Sequence, residues 1–175
     1  MLYNTSLPKL YNCSIGLIGL GYVGLPLALE IANKETCFLR SKKMEREVFA
    51  YDINQNRINE LKQGFDRNNI FIKNELINSK RITFTSDPKL LRNIDVYIIT
   101  VPTPIKDYNQ PDLSFIKEAS ELVGNAIKKS TKKINPIIIF ESTVYPGVTE
   151  EICIPIIKQI SEREYNNEHY KDSFY

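Results

Sequence analysis

Three glycines at the spacing Gly19-Leu20-Gly21-Tyr22-Val23-Gly24 stand between a short apolar run, Ser14 to Ile18, and a stretch of helical character, Leu25 to Asn33. In that setting each glycine has its own task. Gly19 permits a tight turn, Gly21 lets the backbone approach a pyrophosphate, and Gly24 lets the helix pack closely on the strand, while the first N–H groups of the helix face the phosphates. The alternative is a glycine-rich turn with no ligand. Asp52 closes the next β-rich run, Glu47 to Asp52. A carboxylate there can accept hydrogen bonds from the hydroxyls of an adenosine ribose and repel the additional phosphate of NADP, so NAD is the expected cofactor. Asp52 also suits the N-cap of a helix starting near Asn54, and the two roles are compatible. Arg57 can cover an adenine ring or simply lie on the surface.

In open α/β sheets, ligands bind beyond the carboxyl ends of the strands. That directs attention to Val101, Pro102, Thr103 and Pro104, and to Glu141, Ser142 and Thr143, two short segments after apolar runs. The hydroxyls of Thr103, Ser142 and Thr143 can donate to a nicotinamide, its ribose or a substrate, or can serve as ordinary capping groups. Glu141 reads as a general base or as a polar strand end, and His169 as a solvated histidine.

The elements that must position these residues alternate. Strand candidates lie at 14–18, 47–52, 82–85, 95–101 and 136–140, the last two nearly continuous apolar runs of the kind that sheet centres buried on both faces require. Between the last two, Phe115, Ile116, Ala119, Leu122, Val123, Ala126 and Ile127 recur at helical spacing within Leu113 to Lys129. Asp112 is the candidate N-cap, after a loop broken by Pro102, Pro104 and Pro111. The expected fold is therefore α/β, a doubly wound parallel sheet in a single domain over residues 1–160, followed by a polar tail at 161–175. The interval from Gly24 to Asp52 exceeds the roughly 20 residues usual for this fingerprint. Its surplus falls at Lys34 to Arg46, a mixed-charge stretch including Arg40 that reads as an inserted solvated loop or a helix extension.

Composition excludes several classes. In a chain of 175 residues, 23 lysines and arginines against 21 aspartates and glutamates leave a net charge of +2, far from the basic field of a nucleic-acid binder. Cys13, Cys37 and Cys153 are too few and too spread for a disulfide framework, and no CxxC pair offers a zinc site, so no metal is expected. No apolar run approaches the roughly 18 residues needed to cross a bilayer. The opening Met1-Leu2-Tyr3-Asn4-Thr5-Ser6 lacks the basic start of an export signal, so a cytoplasmic location is expected.

Four ordered motifs, Gly19-Leu20-Gly21-Tyr22-Val23-Gly24-Leu25-Pro26-Leu27-Ala28, Val101-Pro102-Thr103-Pro104, Pro111-Asp112-Leu113-Ser114 and Glu141-Ser142-Thr143-Val144-Tyr145-Pro146-Gly147, resemble a known family. It is the N-terminal domain of the nucleotide-sugar 6-dehydrogenases, the UDP-glucose and GDP-mannose dehydrogenase family, matched over residues 12 to 160. The Glu-Ser-Thr-Val-Tyr-Pro-Gly run is closest to the bacterial branch acting on UDP-N-acetylglucosamine or UDP-N-acetylgalactosamine, including the Vi-polysaccharide and O-antigen enzymes. The resemblance implies a Rossmann-like domain of a homo-oligomeric enzyme serving surface polysaccharide synthesis. Such an enzyme oxidises the C6 hydroxyl of a UDP-sugar to a carboxylate in two NAD-dependent hydride transfers, through an aldehyde-level intermediate held on a cysteine. Carried over residue by residue, cofactor contacts fall on Tyr22, Val23, Asp52, Arg57, Thr103 and Thr143, and Thr143 takes a place beside the nicotinamide and the reacting carbon. The family's nucleophilic cysteine, catalytic lysine and sugar-nucleotide domain lie beyond the matched region. The last strand of the sheet is expected just past Tyr175, and the chain alone is expected to be inactive. Two other readings stay open: a non-catalytic NAD-binding or docking module, and a fragment of a β-hydroxyacid dehydrogenase.

Overall fold

A computed structural model describes residues 8–9, 11–37, 41–106, 110–132, 135–166 and 173–175. Arg40, His169 and the opening residues 1–6 lie outside them. The main elements are β1 (Ser14–Ile18), α1 (Gly24–Asn33), β2 (Glu47–Tyr51), α2 (Gln55–Lys62), α3 (Lys73–Ile77), β3 (Ile82–Thr85), β4 (Val96–Ile99), α4 (Ser114–Lys128), β5 (Ile137–Phe140) and α5 (Ile154–Ser161). The five strands are all parallel, in the order β3-β2-β1-β4-β5. The chain runs outward from β1 to β3, then returns to place β4 on the other side of β1. That reversal opens a crevice at the carboxyl ends of β1 and β4.

Strand alternation sends neighbouring residues to opposite faces. Leu17 of β1 packs with Leu25, Leu29 and Ile58 of α1 and α2, while Ile18 packs with Val123, Ile127 and Ile157 of α4 and α5. Each fully buried leucine or isoleucine contributes about 1.5–3 kcal/mol relative to leaving it exposed, so the central strand anchors both layers. At the amino-terminal end of the sheet, the buried Asp95 carboxylate accepts from the Ser14 N–H at 2.8 Å and from Lys132 Nζ at 2.8 Å. This clasp fixes β1 against β4 at the end away from the crevice.

Three expectations change. β4 is buried as its apolar run implies, but β5 is only partly buried, with Ile139 36% exposed. β5 ends the sheet order and has a strand of that sheet on one side only, whereas β4 has one on each. The stretch 34–46 does not extend α1. Its described residues form a small hairpin, with Thr36 bridging Lys43 and Cys37 and Met44 buried beneath it. Arg81 ties this hairpin down by donating to the carbonyls of Ala32, Lys34 and Met44.

The third change is at the expected polar tail, which is partly built into the core. Short strands β6 (Glu164–Tyr165) and β7 (Ser173–Phe174) pair in parallel, and Phe174 is buried with the α4 and α5 cluster. Tyr175 donates its N–H to Pro136 O at 3.0 Å and accepts from the Ile138 N–H at 2.6 Å, so it lies alongside β5.

Candidate cofactor-binding site

A cleft of about 820 Å3 opens at the carboxyl ends of β1, β2, β4 and β5. Of the residues expected from the sequence as site residues, Gly19, Gly21, Tyr22, Val23, Asp52, Arg57, Val101 to Thr103 and Glu141 to Thr143 border it. Gly24 does not, because it packs behind the turn against Gly19 O and Thr100.

The glycine turn explains its own composition. Gly19 sits at φ 96°, where a side chain is strained, and a Cβ would stand 3.0 Å from Thr100 O. A Cβ on Gly24 would stand 1.9 Å from Gly19 O, a distance no side chain can occupy. Gly21 differs, because a Cβ there would meet nothing within 4 Å. Its side of the turn is open space, as a backbone that must admit a pyrophosphate requires. Helix α1 starts immediately after, without a side-chain N-cap, and the N–H groups of Tyr22, Val23 and Gly24 make no backbone hydrogen bond among the described residues. Pro26 falls in this first turn, where the fixed φ of proline suits a helix. The turn therefore presents unpaired donors toward the cleft, which suits an anionic group.

Asp52 is held by both carboxylate oxygens. Oδ2 accepts from the Leu20 N–H at 2.9 Å and Oδ1 from the Asn54 N–H at 2.9 Å. It is not the N-cap of α2. That role belongs to Asn54, whose Oδ1 accepts from the N–H groups of Asn56 and Arg57 at 3.0 and 3.2 Å. The carboxylate instead joins β2 to the glycine turn and keeps its remaining lone pairs at the cleft edge.

Arg57 lines the cleft and is buried, so it is not a surface residue. Its Nε donates to Leu20 O at 3.2 Å, and Nη2 lies 2.7 Å from Asp66 Oδ1, with the two side chains 5% and 0% exposed. Asp66 also accepts from the N–H groups of Asn68, Ile70 and Phe71. Burial alone pushes the Asp66 carboxyl up, but the Arg57 hydrogen bond and charge, with the N–H donors of Asn68 and Ile70, outweigh it and hold the pKa below the usual carboxylate range. The pair joins the glycine turn to the loop that brings Arg67 and Asn68 to the cleft.

On the other side, the segments after β4 and β5 are cross-linked. Thr103 Oγ1 donates to Thr143 O at 2.5 Å, and Ser142 Oγ donates to Val101 O at 2.7 Å. Both hydroxyl protons are thus directed at backbone carbonyls. Thr143 Oγ1 has no hydrogen-bond partner among the described residues and lines the cleft beside Glu141. Asp112 accepts from the Ser114 N–H at 2.9 Å at the start of α4. That hydrogen bond, with Lys106 beside it, pulls its pKa down to about 2.

The sequence reading missed Thr100. This buried residue follows β4, and its Oγ1 lies 3.1 Å from Ile18 O and 2.8 Å from Gly19 O, so it grips the turn from below. The only signal was a polar residue ending an apolar run. It also missed Asp66, which stands in a polar loop with no periodicity, and the cleft-facing side of α4 that includes Phe115 and Leu122.

Residues 13–172 match the NAD binding domain of the UDP-glucose/GDP-mannose dehydrogenase family. The chain belongs to that family. It is 42% identical over 156 residues to a UDP-N-acetyl-D-glucosamine 6-dehydrogenase of Salmonella typhi, covering 89% of this chain and 33% of that one. A Pseudomonas aeruginosa protein of the same name is 41% identical over 159 residues, covering 91% and 34%. The fold matches the crystal structure of a ternary complex of GDP-mannose dehydrogenase from Pseudomonas aeruginosa, with a TM-score of 0.74, 27% identity, and coverage of 88% of this chain and 34% of that one. The chain thus spans about a third of the length of these relatives. The fold is the Rossmann-like one of nucleotide-sugar dehydrogenases, and NAD is the cofactor of this domain. Among the described residues no helix is long and apolar enough to cross a membrane, and no cluster of metal-ligating side chains occurs.

Proposed function

We propose that this chain is the cofactor-holding portion of a UDP-N-acetylhexosamine 6-dehydrogenase, one that oxidises the sugar C6 hydroxyl to a carboxylate for surface polysaccharide synthesis. The observation that carries the reading is the contrast within the glycine turn: two glycines closed off by backbone, and Gly21 open toward unpaired N–H donors. NAD, when bound, accepts the hydride removed from the substrate carbon. The pyrophosphate would lie against Gly21, Tyr22 and Val23, with the adenosine ribose at Asp52. Val101, Pro102, Thr103, Glu141 and Ser142 would border the nicotinamide end. Thr143 is the residue whose free hydroxyl can hold a substrate oxygen or a water there.

The chain alone would bind the cofactor without turning over a sugar. Its three cysteines are buried free thiols. Burial pushes Cys13 and Cys153 up in pKa, away from the thiolate that an acyl-transfer step needs. Free thiols also suit a cytoplasmic location. The sugar nucleotide and any homo-oligomer would require chain that these residues do not supply.

The test is a thermal-shift titration with NAD and NADP, followed by an assay for NADH with UDP-N-acetylglucosamine. NAD at 100 times its dissociation constant should stabilise the chain by about 2.7 kcal/mol. The expected result is a shift with NAD, a much smaller one with NADP, and no NADH. No shift from a cooperatively folding chain would overturn the cofactor site, and robust NADH formation would overturn the claim of inactivity.

A further inference from the structure

Two cationic side chains line the cleft among the described residues, Arg57 and Arg67, and neither is free. Arg57 is paired with Asp66 as described above. Arg67, on the lip of the cleft, donates from Nε to Glu60 Oε2 and from Nη2 to Glu60 Oε1, both at 2.7 Å. This is the parallel two-bond geometry in which one carboxylate takes two of the five N–H donors of a guanidinium and balances its charge. Glu60 itself projects from α2 and does not line the cleft. The acidic lining residues Asp52, Glu118, Glu121 and Glu141 have no ion-pair partner among the described residues. The cleft therefore carries net negative charge, offset locally only by the N–H donors of the glycine turn.

This arrangement bears on which dinucleotide is accepted. A 2′-phosphate on the adenosine ribose would enter at Asp52, on the side of the cleft that Arg67 borders. A free arginine at that position is the ordinary means of accommodating such a phosphate. We infer that Glu60 is a specificity-determining residue: by engaging the Arg67 guanidinium it withholds the cation on the cleft lip, among the described residues, that would recruit the 2′-phosphate of NADP. The inference rests on the reading that the ribose lies at Asp52, and it adds a second element to the exclusion. Asp52 repels the phosphate directly, and Glu60 removes the counter-charge that would offset the repulsion. Glu60 acts through Arg67 without touching the cofactor, so its removal should alter selectivity more than affinity for NAD.

The experiment is isothermal titration of the full chain with NAD and with NADP, on wild type, Glu60→Gln, Glu60→Ala and the double variant Glu60→Gln/Arg67→Met. A melting curve for each establishes that it folds. Release of Arg67 should tighten NADP binding by about tenfold while NAD binding moves by less than about threefold, since a charge-assisted contact becomes available only to the phosphate. The gain should shrink as salt is raised, and the double variant should return the ratio to the wild-type value. A NADP-to-NAD ratio unchanged in both folded single variants would overturn the inference, as would a gain that survives loss of Arg67. Failure of the wild type to bind NAD would overturn the cofactor reading and this inference with it. Normal NAD binding with unresponsive variants would overturn this inference alone.

Discussion

Gly21 and Gly24 are three positions apart and would respond oppositely to the same added methyl group. At Gly21 the methyl meets nothing within 4 Å, so Gly21→Ala should fold with stability within about 0.5 kcal/mol of wild type. It would occupy the space that the pyrophosphate needs, and NAD affinity should fall by about tenfold or more. At Gly24 the methyl is driven to 1.9 Å from a backbone oxygen, which only a shift of strand against helix can relieve. Gly24→Ala should therefore destabilise by about 3 kcal/mol or more. Paired thermal melts and NAD titrations check both outcomes, and equal stability losses at the two positions would contradict the division of labour. The fingerprint's glycines and Asp52 were legible because their types are dictated by backbone sterics and charge, which act locally along the chain. Thr100 and Asp66 were not. A threonine ending a strand and an aspartate in a loop acquire their meaning only from partners dozens of residues away, at Gly19 O and at the Arg57 guanidinium.

The cleft depends on loops that are cross-linked, so its integrity is a property of pairs of elements. The Arg57–Asp66 pair bridges α2 and the following loop to the glycine turn, with both side chains out of solvent. Removing one member leaves the other buried and unpaired, and Asp66→Asn should destabilise by about 3 kcal/mol at neutral pH. The Asp66 pKa is depressed in the folded chain. Its stabilisation is therefore fully present above the unfolded-state value of about 3.9 and is lost as pH falls through the lower folded value. The stability gap between wild type and Asp66→Asn, followed by urea unfolding, should be constant from pH 5 to 8 and should close below about pH 4. A gap that persists undiminished at lower pH would show that packing, not charge, accounts for it. Across the cleft, Thr103→Val removes one of two hydroxyl cross-links between the segments after β4 and β5. It should cost about 1 kcal/mol and raise amide exchange at residues 102–104 and 142–144 while leaving the core strands protected. The positions of β1 to β5, α1 and α4 were legible to within a residue or two because burial imposes the periods of 2 and 3.6 directly on side-chain type, whereas α3, β6 and β7 are too short to show a period. The limited burial of β5 and the hairpin at residues 35–37 and 41–44 were not, since both are set by what lies alongside.

At the scale of the whole molecule, the crevice at the strand reversal provides for a cofactor, and none of the three cysteines is among the residues that line it. The point can be argued from the thiols. Cys153 is fully buried, and Cys13 and Cys37 are each 6% exposed. Burial raises Cys13 and Cys153 in pKa despite the opposing influence of Arg46 on the first and of a hydrogen bond with Ser120 on the second. A nucleophilic cysteine has the reverse environment, partly exposed and electropositive, with its thiolate populated near neutral pH. Ellman's reagent should therefore find no rapidly reacting thiol in the folded chain, and modification should proceed only as fast as the chain opens. In denaturant all three thiols should react at once. Saturating NAD should slow the native reaction further, because a ligand that binds only the folded state lowers the population of open chain. A thiol that reacts within seconds in the native chain, whether or not NAD is present, would give these residues a nucleophile of their own. The reading of the chain as a portion that holds the cofactor without completing the chemistry would then fall.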